Sequence, residues 1–132
     1  MGYQVSSLDE LGEGYGFRKI RKPLGVTAFG VNAQVFPPGF EGPEHYHDEQ
    51  DELYFVHRGT ATFIVDGKEH EVGEGGLVHV ESTTHRRVCN RGDGDLVMFI
   101  VGGKGGYVER DGQLVNAEDL EKRQAMSRGE LR

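Results

Sequence analysis

Between Gly39 and Gly59 the chain spaces a glycine, two histidines, a glutamate and a second glycine in a pattern that leaves little choice of fold. Five residues separate Gly39 from His45, one separates His45 from His47, four separate His47 from Glu52, and six separate Glu52 from Gly59. Side chains on a strand alternate faces, so histidines two apart project the same way and can share one ion. Asp48-Glu49-Gln50-Asp51 is too polar to prolong that strand and reads as a turn. Leu53-Tyr54-Phe55-Val56 has the β-branched and aromatic content of a return strand, which would begin at Glu52 and pair with the histidine strand. Imidazole nitrogen together with carboxylate oxygen suits a divalent transition metal such as Mn, Fe, Ni, Zn or Cu. The bracketing glycines stand where turns ask for positive φ.

This composite resembles the first motif of the cupin superfamily, G-x5-H-x-H-x4-E-x6-G, at every marked position. The resemblance implies an all-β fold, a cupin-type double-stranded β-helix or jelly-roll barrel, with His45, His47 and Glu52 as metal ligands inside it. The second motif of the superfamily, usually G-D-x4-P-x-G-x2-H-x3-N, is met only in part by residues 75–90. Aligned without gaps, Gly75 and Asn90 match, while the aspartate, proline and inner glycine positions hold Gly76, Glu81 and Thr83. The position of the fourth ligand is then Arg86, and His85 falls one residue early.

A displacement of one residue turns a strand side chain to the opposite face. His85 therefore reaches the metal only if the Ser82-Thr83-Thr84 turn is shortened and a bulge restores register. Apolar alternation favours the ungapped version, in which Arg86, Val88 and Asn90 face inward together. Some small cupins of unassigned function look similar, with arginine where the fourth histidine is expected. Both residues stay candidates, His85 as fourth metal ligand and Arg86 as a ligand-binding group. A guanidinium is always charged and presents a planar set of donors suited to a carboxylate or phosphate, or to an ion pair with Glu52. Tyr54 shares the Glu52 face and is a candidate catalytic hydrogen-bond donor or proton relay.

The rest of the chain agrees with a barrel. Its 21 glycines exceed the usual share of about 7%. With four prolines they cut the apolar residues into short runs, the pattern of many strands and tight turns. Strands are expected over 17–20, 26–36, 60–65, 69–72, 77–80, 86–89 and 96–101 as well as in the motif hairpin, with Asp66-Gly67 as a two-residue turn. One domain is expected across 1–132, with the barrel over about 15–101 and an extension over 102–132. In that extension an extended piece is predicted at 107–110 and a short C-terminal helix over 117–127, with Asn116 as its N-cap. His57 and His70 alternate away from the metal face or lie beside a turn. For His79 the better core is Val78 with Val80, which sends the imidazole outward.

Charge and composition exclude several functions. A net charge of −7 argues against nucleic acid, and the single basic cluster Arg18-Lys19-Ile20-Arg21-Lys22 reads as a solvated strand end. No apolar stretch is long enough for a membrane span and the start lacks a signal peptide's regions, so a cytoplasmic protein without membrane contact is expected. One cysteine, Cys89, rules out an internal disulfide and reads as an inert strand residue. The glycine run at 102–106 lacks the Gly-Lys-Ser/Thr sequence of a phosphate loop. The expected function is a metal-binding lumen that binds or transforms a small acidic or oxygenated molecule, as an oxidoreductase, isomerase or lyase if it is an enzyme. A metal-free sensor, a sugar-binding module and a non-catalytic scaffold are the alternatives. Edge strands and a thinly amphipathic helix predict a homodimer.

Overall fold

The computed structural model describes residues 2–131. Among these residues ten strands form two five-stranded sheets: β1 (Gly16–Lys19), β2 (Gly30–Phe36), β3 (His45–His47), β4 (Asp51–Arg58), β5 (Ala61–Val65), β6 (Lys68–Val72), β7 (Leu77–Val80), β8 (Arg86–Cys89), β9 (Leu96–Gly103) and β10 (Gly112–Leu114). One sheet runs β1-β2-β9-β4-β7 and the other β10-β3-β8-β5-β6, with every pairing antiparallel. A single helix, α1 (Leu120–Arg128), follows a 3-10 turn at Ala117–Asp119. It is too short to cross a membrane. The all-β barrel with a short C-terminal helix is thus the observed architecture.

Period-two alternation decides what fills the space between the sheets. On β4 the inward set is Glu52, Tyr54 and Val56, and on β9 it is Leu96, Met98 and Ile100. Phe36, Phe63, Val80 and Val88 complete the core from both sheets. Fully burying each such side chain contributes roughly 1.5–3 kcal/mol, so apolar packing, rather than any ion, carries the barrel. Val80 is buried and His79 exposed, as the valine pattern predicts. The β5–β6 hairpin turns through Asp66 and Gly67, both at positive φ. Asn90 is fully buried because its amide donates to the Phe36 and Gly94 carbonyls and accepts the Gly92 N–H, which closes the turn into β9.

Four expectations need correction. The histidine strand and the glutamate strand are not paired: β3 lies between β10 and β8, whereas β4 lies between β9 and β7. Residues 48–50 cross from one sheet to the other, so the histidines and Glu52 face each other across the lumen. The second strand starts at Gly30, because the chain first makes a turn in which Leu24 and Gly25 donate back to Ile20 and Lys22. In the extension the extended segment is β10 at 112–114, not 107–110, and β3 is the strand it pairs with. Asn116 has the extended backbone of a cap but its side chain makes no capping bond.

Helix α1 seats Met126 against the core, next to β1. Gly16 makes this approach possible, since a Cβ there would collide with the Met126 carbonyl. The helix ends at Gly129, whose left-handed backbone lets its N–H return to Met126.

Candidate metal centre

Three side chains converge in the lumen. His45 and His47 come from β3 and Glu52 from β4, and one ligand atom of each lies within 4.8 Å of the others. The two rings stand edge to face, 5.4 Å apart. The Nδ1 of His45 lies 3.3 Å from the Pro43 carbonyl, and the Nδ1 of His47 lies 2.8 Å from Oδ1 of Asp111. Both acceptors can only receive a proton, so each Nδ1 carries one and each Nε2 is left to act as a ligand. Nε2 of His47 is 3.2 Å from Oε1 of Glu52, which also accepts the Tyr54 hydroxyl at 2.6 Å.

Electrostatics follow from this crowding. Burial works against the Glu52 carboxylate, yet the His47 imidazole and the Tyr54 hydroxyl outweigh it and hold the group down at about 2. Burial lowers His45 to about 4, which keeps its ring neutral and its lone pair available. For His47 burial is overcome by Glu52 and Asp111, and its value is raised. Tyr54 is pushed well above the phenol range by burial and by the neighbouring Glu52 charge, so it stays a donor.

Asp111 was not foreseen from the sequence. Besides His47 it accepts the backbone N–H groups of Glu49 at 2.7 Å and Gln50 at 3.0 Å and the Gln50 side-chain amide at 2.6 Å. It thereby pins the segment that crosses between the sheets as well as the histidine ring. Burial opposes its charge, but the Gln50 amide and the backbone donors of Gln50 and Glu49 more than compensate and depress its carboxyl far below the usual range. The only local signal is the Asp111-Gly112 pair, which reads as an ordinary turn.

The two candidates from the second motif part company. β8 begins at Arg86, which pairs with His45 on one side and Val65 on the other, so the ungapped register holds. Arg86 is fully buried, but Glu52 is not its main partner: the nearest approach is 4.0 Å. Its N–H groups donate instead to the carbonyls of Ser82 at 3.1 Å, Glu81 at 3.2 Å and Val80 at 3.4 Å. The expected anion is replaced by the backbone of its own turn. His85 corrects the remaining expectation. It points out of the barrel, stacked on Tyr46 with ring centres 5.0 Å apart, and lies 3.5 Å from Glu44. With the turn at full length, strand alternation sends the residue before Arg86 away from the metal ligands.

The donor set fits a divalent transition ion. One ring nitrogen of each histidine and an oxygen of Glu52 lie within 4.8 Å of one another, and each ring has an acceptor behind its Nδ1. Beside the ligands is a cavity of about 20 Å³ whose walls include Gln34, Phe36, Phe40, His45, Tyr54 and Met126. It has room for about one water. A larger recess of about 250 Å³ at the ends of β4 and β9 is lined by Phe29, Asp51, Glu52, His79, Val101 and Lys104 among others.

Comparison with known proteins agrees with this geometry. Residues 32–102 match the family model for the cupin domain. No curated protein matches the chain. Among solved structures, a cupin protein from Bacteroides fragilis is 20% identical with a TM-score of 0.68, the match covering 83% of this chain and 91% of that one. A sugar phosphate isomerase from a cupin superfamily, from Silicibacter pomeroyi, is 26% identical with a TM-score of 0.64, covering 77% of this chain and 68% of that one. A structure from Acidithiobacillus ferrooxidans is 20% identical with a TM-score of 0.61, covering 65% of this chain and only 56% of that one.

Proposed function

The chain belongs to the cupin family, and from that premise we propose that it holds a divalent transition metal on His45, His47 and Glu52 and uses it to bind or transform a small oxygenated molecule. One observation carries this reading: both imidazoles have Nδ1 committed to an acceptor, so two Nε2 atoms and a carboxylate are aimed at one point within 4.8 Å. A bound ion would supply Lewis acidity toward a ligand oxygen.

The chain's own residues do the rest. Asp111 and the Pro43 carbonyl fix the tautomers, and Tyr54 holds its proton on Oε1 of Glu52. Phe36, Phe40, Val88 and Met126 give the cavity beside the ligands most of its apolar wall. Arg86 does not line that cavity, and three of its hydrogen bonds go to backbone carbonyls. The anion-anchor role read from the sequence is therefore not part of the proposal. Isomerase, lyase or oxidoreductase chemistry on an oxygenated compound is compatible with such a centre, and the Silicibacter pomeroyi neighbour is itself described as a sugar phosphate isomerase. The second reading, a metal-free binding pocket, draws on the His47–Glu52 contact at 3.2 Å, which can satisfy both groups with a shared proton.

Elemental analysis of protein purified from metal-supplemented cells separates the two. About one ion per chain is expected, lost in His45→Ala and in His47→Ala with the far-ultraviolet circular dichroism unchanged. Wild-type protein without metal under those conditions would favour the metal-free pocket.

A further inference from the structure

The two sheets have four edge strands, and three of them are guarded against pairing with another chain. β6 carries Lys68, Glu69 and Glu71, all exposed. β1 lies against α1, with Gly16 packed on Met126 and Gly129. β10 is three residues long, and the carbonyl of its Gly112 accepts from Arg123 at 3.4 Å. β7, Leu77-Val78-His79-Val80, has neither charge nor cover of this kind. Among the described residues, Leu77, Val78 and His79 make no backbone hydrogen bond outside their pairing with β4. The outer side of this edge is apolar, because Leu77 is exposed and stands opposite the exposed Phe55.

The same chain presents a segment suited to that edge. Residues 2–6 belong to no helix or strand and make no backbone hydrogen bond, and Tyr3 and Val5 are 76% and 83% exposed. Two apart, these side chains would share one face of a strand. They cannot pair with β7 of their own chain. Arg18 of β1 holds the Leu8 carbonyl at 3.2 Å, and β1 and β7 are opposite edges of one sheet, four strand spacings or about 19 Å apart. Residues 2–7 reach at most about 20 Å, so the crossing would leave nothing to pair. A second copy removes this distance. If two outer faces stack about a two-fold axis running along the strands, the strand order of one is reversed over the other, and β7 of each copy lies about 10 Å over β1 of its partner.

We propose that residues 2–6 of each copy add to β7 of a second copy as a sixth strand, with Tyr3 and Val5 on the outer face beside Leu77. Backbone hydrogen bonds close the open edge, and the two side chains cover apolar surface that one chain leaves in water. Because the exchange is reciprocal, it ends at a dimer.

Sedimentation velocity and amide hydrogen exchange on wild type and on Tyr3→Ser with Val5→Pro test this. The double variant removes both apolar side chains and one backbone donor from an exposed segment, so its far-ultraviolet circular dichroism should match wild type. Wild type is expected to be a dimer at micromolar concentration. In the variant the dimer Kd should rise by at least about tenfold, and the outward amides of residues 77–79 should exchange at least about tenfold faster. Equal Kd and equal exchange in the two proteins would leave a dimer held by its apolar faces alone and overturn the proposal. A raised Kd without faster exchange at 77–79 would put the arm elsewhere and overturn it as well. So would a monomeric wild type, or protection of these amides that survives dilution to the monomer, which would assign the edge to the chain's own arm.

Discussion

Asp111 lies 2.8 Å from Nδ1 of His47, although 64 positions separate the two along the chain. A carboxylate behind a ligating imidazole fixes the ring and raises its basicity, and loss of such a partner typically lowers metal affinity by about 10–100-fold. Asp111→Ala should weaken metal binding by that factor, read by competition with a colorimetric chelator. Asp111→Asn should fall between, because an amide oxygen still accepts from Nδ1 but carries no charge. Wild-type affinity in Asp111→Ala would show that the contact is incidental.

Arg86 and His85 are adjacent and should behave in opposite ways. Arg86→Ala strips three backbone carbonyls of their donors inside a closed barrel, which is expected to cost about 3 kcal/mol or more. His85→Ala removes an outward ring with a long contact to Glu44 and should change stability by no more than about 1 kcal/mol. Urea denaturation of the two variants checks both, and metal stoichiometry should be untouched in His85→Ala.

Acid should weaken the metal-free barrel through the lumen. Glu52 sits at about 2 against an ordinary 4.5, and His45 at about 4 against 6.5. In both cases the unfolded chain binds the proton more readily, so the stability is complete above the unfolded value and drains as pH falls from 6.5 to 4 for His45 and from 4.5 to 2 for Glu52. His47 is raised and has the opposite sign, its contribution being complete below its unfolded value and lost as pH rises through the folded one. Because Glu52 is nearly buried, it alone is worth about 2 kcal/mol between about pH 7 and about pH 3. Glu52→Gln should flatten the pH dependence of the denaturation midpoint by that order, and an unchanged profile would contradict the assignment.

The outer face of β4, β7 and β9 is apolar. Leu77 is 63% exposed, Leu53 42%, Val101 38% and Phe55 37%, all on neighbouring strands. We propose a second copy of this chain as the partner of that face, since contiguous patches of this kind mark association surfaces. Sedimentation at micromolar concentration should give a dimer for the wild type and a monomer for Leu77→Glu with Leu53→Glu. A monomeric wild type would reject the pairing.

How legible all this was depended on how local each cause is. His45, His47 and Glu52 could be read from spacing because alternation on a strand is set by the residues themselves. That alternation also put Arg86 inward, His79 outward and the valines of β7 in the core. It said nothing about pairing, since four polar residues can turn a hairpin or cross between sheets, and the crossing occurs because Asp111 holds Glu49 and Gln50 from far along the chain. β10 escaped for the same reason: Gly112-Gln113-Leu114 has no strand pattern and exists through its partner β3. The partners of Arg86 are carbonyls, which every residue carries, so no side-chain pattern could name them.

Both parts that tune this pocket from outside, Asp111 behind His47 and Met126 at the cavity, lie beyond the 32–102 segment shared with the family. The family match thus covers the ligand motif, while these two residues come from the tail. Two proteins with the same ligand motif can diverge in affinity and in which molecules they admit by exchanging thirty residues that include no motif position. Grafting residues 103–132 onto another small cupin should carry ion affinity and ligand size limit along with it, leaving the receiving barrel's own ligands in place.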